Sequence, residues 1–100
     1  MPALRWDDLS VMLAVLRTGS FSAAAVLLDV EQSTVSRRIA SLEETLSGTL
    51  FDRNRSGLKP TDLAVRLRDH AERVEAEVQR FVDVAGAHER EVQGRVRLAV

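Results

Sequence analysis

The chain has 100 residues, 45% of them hydrophobic but only 4% aromatic, so one small domain, or a domain with an appendage, must fill its core with Leu, Val and Ala. With no cysteine it has no disulfide framework, no cysteine-ligated zinc and no thiol nucleophile, and no apolar run of eighteen residues is present to span a membrane. The net charge of −1 argues mildly against a nucleic-acid partner, because domains that bind one are commonly basic.

The first residues, Met1 to Asp8, carry acids where a signal peptide needs an apolar stretch, which predicts a cytoplasmic protein. Asp7 is a good N-cap, and Leu9, Met12, Leu13 and Leu16 follow at helical spacing. Trp6 would then stand just outside the helix, placed to staple onto Val11. Thr18-Gly19-Ser20 ends this helix, with Gly19 suited to the left-handed position, and Ser20 caps a second helix from Phe21 to about Leu28. Its buried side is Phe21, Ala24, Ala25 and Leu28, and the small residues allow another helix to come close. Asp29 takes the turn that glycine often takes, and Val30 is expected to plug that turn into the core.

From Gln32 to Leu46 the apolar residues Val35, Ile39, Leu42 and Leu46 mark a third helix with one buried face. Its other side presents Gln32, Ser33, Ser36 and Arg37, which are amide, hydroxyl and guanidinium groups with no carboxylate among them. Such groups read base edges in a major groove, and the plain alternative is a solvated helix that happens to be polar. The neighbours favour the first. Two short helices joined by a tight turn, the second polar outside, match a helix-turn-helix. Ser47-Gly48 breaks the third helix. Leu50 to Arg53 and Leu58 to Pro60 then form a hairpin around Asn54-Arg55-Ser56-Gly57, a wing whose strand ends at Pro60. Charge is local here: two arginines and no acid lie between Gln32 and Leu42, and Arg53, Arg55 and Lys59 stand on the wing. Arg53 pairs either with Glu43 on the preceding helix or with DNA.

Thr61-Asp62 opens a long helix in which Leu67, Val74 and Phe81 repeat every seven residues, as do Ala71, Val78 and Ala85. This seam predicts a dimer through Leu67, Ala71, Val74, Val78 and Phe81, with the helix stopped near Ala85-Gly86. Gly94 to Val100 alternates as a strand entering a sheet would, so the end looks like a cut at a domain boundary. The expected division is a winged helix-turn-helix over 1–60, a dimerisation helix over 61–86, and a hinge with a first strand over 87–100.

His70 and His88 lack ligand-spaced partners, Glu43 and Glu44 point to different sides of a helix, Ser36 has no histidine near it in sequence, and no Gly-rich phosphate loop exists. No enzyme, metal or cofactor is expected.

Ser20-Phe21-Ser22-Ala23-Ala24-Ala25, then Gln32-Ser33-Thr34-Val35-Ser36-Arg37-Arg38-Ile39, then Leu42-Glu43-Glu44, Leu46, Leu50-Phe51 and Arg53 resemble the N-terminal DNA-binding domain of LysR-type bacterial transcriptional regulators. The likeness runs from about residue 5 to 67, and the long helix fits the family's linker. It departs at Glu31, where serine commonly caps, at Ser33, where proline is frequent, at Arg38, where glutamine is common, and at Ala64, where glycine is usual. It implies a mainly α winged helix-turn-helix that binds promoter DNA as a dimer through the linker helix. It further implies tetramers in full-length members, and a small molecule sensed on a C-terminal domain. The DNA-binding residues expected are Ser22, Gln32, Ser33, Thr34, Ser36, Arg37, Arg38, Arg53, Arg55 and Lys59. Molybdate-responsive regulators carry a related winged helix, and a winged helix that docks a protein is the rival from another class.

Overall fold

The computed structural model describes residues 4–54 and 57–98, without the side chains of 95–98. Four helices and one hairpin follow in the order α1 (Trp6–Thr18), α2 (Phe21–Leu28), α3 (Gln32–Leu46), β1 (Phe51–Asn54), β2 (Gly57–Pro60) and α4 (Asp62–Leu98). The fold is mainly α, a winged helix-turn-helix followed by a long helix, as the sequence predicts.

α1, α2 and α3 pack around Met12, Leu13, Val15, Val35 and Leu42, with Leu50 closing the core from the chain leading into the wing. The first helix starts earlier than expected. Arg5, with extended backbone (φ −109°, ψ 140°), is the cap residue, and its carbonyl accepts from the Asp8 and Leu9 amides at 3.1 and 3.4 Å. Asp7 therefore sits inside the first turn, where its charge suits the positive helix end, and its carboxylate faces Arg5 and Arg38 instead of capping. Trp6 is the first helical residue, so the expected staple, which needs it outside the helix, does not arise.

Gly19 ends α1 at φ 85°, and the Ser20 hydroxyl caps α2 by accepting from the Ala23 amide at 3.0 Å. Asp29 takes the left-handed turn (φ 56°), as expected. Val30 does not plug the core; it is 38% exposed. Its amide closes the turn instead, donating to the Ala25 carbonyl at 3.0 Å, the backbone bond typical of a left-handed helix end. The same device ends α3 at Ser47 (φ 53°), with the Gly48 amide on the Glu43 carbonyl at 3.1 Å. Gly48 is needed for space rather than for the turn. A Cβ there would lie 2.5 Å from Leu63 Cδ2, so a larger residue would require the Leu63 side chain at the start of α4 to shift.

β1 and β2 pair antiparallel with Phe51 opposite Pro60, Asp52 opposite Lys59, Arg53 opposite Leu58 and Asn54 opposite Gly57. Thr61 then ties the hairpin's base to α4. Its hydroxyl donates to the Thr49 carbonyl at 2.6 Å and accepts from the Ala64 amide at 3.3 Å.

α4 does not stop at Gly86. It runs 37 residues to Leu98, about 55 Å, well beyond the rest of a molecule measuring 66 × 30 × 20 Å. A mid-helix glycine costs only ~1 kcal/mol relative to alanine, too little to end a helix whose flanks are Ala, Glu and Arg. The strand expected from Gly94 is likewise helical as far as Leu98, while Ala99 and Val100 lie outside the described residues. With no described strand beside it, that backbone meets its own hydrogen bonds as a helix.

Candidate nucleic-acid interface

α3 divides by face as its periodicity requires: Val35, Ile39 and Leu42 are buried, and Gln32, Ser33, Ser36 and Arg37 are exposed. Glu31, at the cap position, makes no side-chain cap bond, consistent with its being a poorer cap than serine.

The wing is seated on α2 through one aromatic ring. Alternation along β1 puts Phe51 and Arg53 on one face, and both reach Phe21, the first residue of α2. The Phe51 ring meets Phe21 edge-on at 6.1 Å, and the Arg53 guanidinium carbon lies 4.5 Å from the Phe21 ring centre. Arg53 is therefore engaged by an aromatic face. The expected alternative partner, Glu43, instead accepts the Leu50 amide at 2.6 Å and so clamps the end of α3 to the chain entering the wing.

This packing draws together residues that sequence reasoning proposed separately. Ser22, Gln32 and Arg53 line one shallow depression between the start of α2, the start of α3 and the wing, with Asn54 beside them. Ser36 and Arg53 share the adjoining hollow. Thr34 and Arg38 do not join this group. They are half-buried on the side of α3 that faces α1, where Arg38 Nη1 is 4.0 Å from Asp7 Oδ2. Lys59 is exposed on the outer face of the hairpin, opposite Asp52. Arg55 lies outside the described residues. Phe21 was legible only as a core residue; its part in holding Arg53 had no signal in the sequence, and Asn54 was legible only as a turn residue.

The long-helix seam is divided in the same way. Ala71 is buried in the domain's own core and Leu67 packs against that core, whereas Val74, Val78 and Phe81 are exposed, Phe81 by 78%. Val92 continues the exposed stripe on the same seven-residue spacing. Among the described residues there is no cluster of three or more groups able to hold a metal, and no helix long and apolar enough to cross a membrane.

The family profile described as "Bacterial regulatory helix-turn-helix protein, lysR family" matches residues 6–65. The chain belongs to the LysR family. Among curated relatives, the probable HTH-type transcriptional regulator LrrA of Synechococcus elongatus is 47% identical over 67 residues, 67% of this chain and 23% of LrrA. The HTH-type transcriptional activator TtdR of Escherichia coli is 35% identical over 91% of this chain and 29% of its own. This LysR-family chain thus spans less than a third of either relative. Among solved structures, the BenM DNA-binding domain in complex with catB site 1 DNA superposes with a TM-score of 0.80 at 27% identity, covering 84% of this chain and 94% of that one. Relatives named as transcriptional regulators belong to a family of non-enzymatic DNA-binding proteins, in line with the expectation of no enzyme.

Proposed function

We propose that this chain is the DNA-reading part of a transcription regulator that binds double-stranded promoter DNA in a sequence-specific way, as a homodimer. α3 (residues 32–46) enters the major groove, and the wing (50–60) lies on the minor groove or the backbone. The observation that carries this is the exposed row Gln32, Ser33, Ser36 and Arg37, free of carboxylate, with Arg53 alongside it from the wing. That the BenM DNA-binding domain, so similar in fold, was solved on DNA supports DNA as the partner here.

Gln32 approaches a base edge near the start of α3, Ser33 and Ser36 meet bases or phosphates, and Arg37 takes a guanine. Ser22, Thr34, Arg38 and Lys59 contact the backbone, while Arg53 and Arg55 serve the wing. Residues 61–86 pair two chains through Val74, Val78 and Phe81, and residues 87–100 lead on to a domain that senses a small molecule. The family likeness is the support for that domain and for a tetramer of the full-length protein.

The test is selection of bound fragments from genomic DNA, followed by affinity measured against salt. A recurring near-palindromic site and a loss of affinity of roughly 0.9 logarithmic units per phosphate neutralised, per tenfold rise in salt, are expected. Binding indifferent to both sequence and salt would overturn the reading in favour of a protein-docking module.

A further inference from the structure

Arg5, Asp7, Asp8, Arg37, Arg38 and Ser41 line one cleft between the first turn of α1 and the middle of α3. Three guanidinium groups there face two carboxylates. Asp7 serves two of the cations at once, with Oδ2 3.7 Å from Arg5 Nη2 and 4.0 Å from Arg38 Nη1. Both contacts are long, and the Asp7 side chain is 53% exposed. A carboxylate set beside arginines next to a DNA-facing row occupies the electrostatic position that a backbone phosphate would take.

From this we infer that Asp7 is an intramolecular competitor of the DNA backbone: it holds Arg38 against α1 and weakens the contribution of the arginine cleft to binding. The inference rests on the DNA-binding reading above and assigns to an α1 residue control over how strongly α3 engages phosphate. The opposite role, in which Asp7 aims Arg38 at the DNA, calls for a short two-pronged contact of the kind that fixes a guanidinium plane. The observed 4.0 Å single approach is a loose electrostatic contact instead. Arg38 also lies on the α1-facing side of α3, beside Thr34 and apart from the row that ends at Arg37. Releasing it lets a long, flexible side chain swing toward the backbone. With a net charge of −1 on this chain, one freed cation counts for more than it would in a basic domain.

The experiment compares the wild type, Asp7→Asn, Arg38→Ala and the double variant on one selected duplex over a salt series, with thermal unfolding to check each fold. Asp7→Asn is expected to bind about two- to fivefold more tightly at low salt, with a salt slope steeper by about one unit. Arg38→Ala alone is expected to weaken binding by less than the Asp7→Asn gain, because Asp7 restrains the backbone contact that Arg38 makes, and in the Asp7→Asn background to remove the gain. Weaker binding by a folded Asp7→Asn variant would assign Asp7 the aiming role and overturn the inference, as would a gain that survives Arg38→Ala. Wild-type protein that binds no duplex would overturn the DNA-binding reading itself, a different result from either.

Discussion

Arg17, at the last turn of α1, holds Glu75 on α4 through two hydrogen bonds of 2.9 and 2.6 Å across 58 residues of sequence. The pair stands where α4 leaves the domain, so it fixes the direction in which the long helix projects. The two hydrogen bonds, more than the neighbouring charge, hold the Glu75 carboxyl below the usual carboxylate range and push the Arg17 guanidinium up. Both side chains are partly open to solvent, 41% and 38%, so screening limits the contribution to ~0.5–1 kcal/mol, the upper end for exposed pairs.

The pH dependence has a definite sign. A carboxyl that titrates lower when folded stabilises fully above the ordinary carboxylate range, and that stabilisation is lost as pH falls through the lowered value. The Arg17 shift has no consequence at working pH, because its contribution fades only as pH rises past the guanidinium range. Glu75→Gln is therefore expected to lower unfolding free energy by ~0.5–1 kcal/mol at pH 7 and by much less at pH 3. Urea titrations of both proteins at the two pH values check this, and an equal difference at each would remove the ion pair as its cause.

Nothing in the sequence could have announced that pair, since periodicity reports which face is apolar and not which distant residue will arrive opposite a charge. Local features were far more legible. Gly19, Ser20 and Asp29 mark their turns because only certain residues tolerate a left-handed backbone or cap a helix. The split of α3 into a buried and a polar face followed from spacing alone. Arg53 was harder: opposite charge made Glu43 a reasonable partner, but alternation in β1 turns Arg53 onto Phe21. The helix end at Gly86 failed because one glycine is a weak stop when no competing structure is at hand. Leu67 and Ala71 share their seven-residue repeat with Val74, Val78 and Phe81, yet the domain's own core claims the first two.

Arg37 provides the test of base reading. It is exposed on α3 at the end of the polar row. Arg37→Ala is expected to cost ~1–3 kcal/mol on the selected site and to flatten preference at one base position. Binding to the selected duplex and its single-mismatch set would be compared, and unchanged affinity and preference would remove Arg37 from the reading residues.

Arg53 should behave differently, because it has a structural partner. Its cation–π contact with Phe21 at a partly exposed site is worth ~0.5–1 kcal/mol. Arg53→Ala is expected to lose that stability and to weaken binding to all sequences alike, through loss of both a positive charge and the seating of the wing. Arg53→Lys keeps the charge but not the flat guanidinium that stacks on the ring, so it should recover the salt slope without recovering the full stability. Denaturant midpoints and salt series on the three proteins separate the two contributions. A stability identical to wild type in Arg53→Ala would mean that the ring contact contributes nothing.

The assembly prediction follows from how α4 is used. Its first three turns are consumed by the domain, with Ala64 and Ala71 buried and Leu67 packed against the core. Beyond them Val74, Val78, Phe81 and Val92 stand at 41%, 37%, 78% and 40% exposure along one stripe. Covering a Phe or Val side chain is worth about 1.5–3 kcal/mol when complete, so several together on a stiff helix give a second copy enough area to bind. Ala85 on the same stripe lets two helices approach closely, though it adds little area. Substituting Val74→Asp and Phe81→Asp leaves the domain core untouched and puts two charges into the stripe. The variant is therefore expected to fold with the same helical content, to sediment as a monomer at tens of micromolar where the wild type is a dimer, and to lose at least about tenfold in affinity for a full two-half-site operator. Affinity for an isolated half-site should be unchanged, because each winged domain remains whole. A wild-type chain that is itself monomeric at that concentration would mean that the exposed stripe of α4 is covered by something other than a second copy.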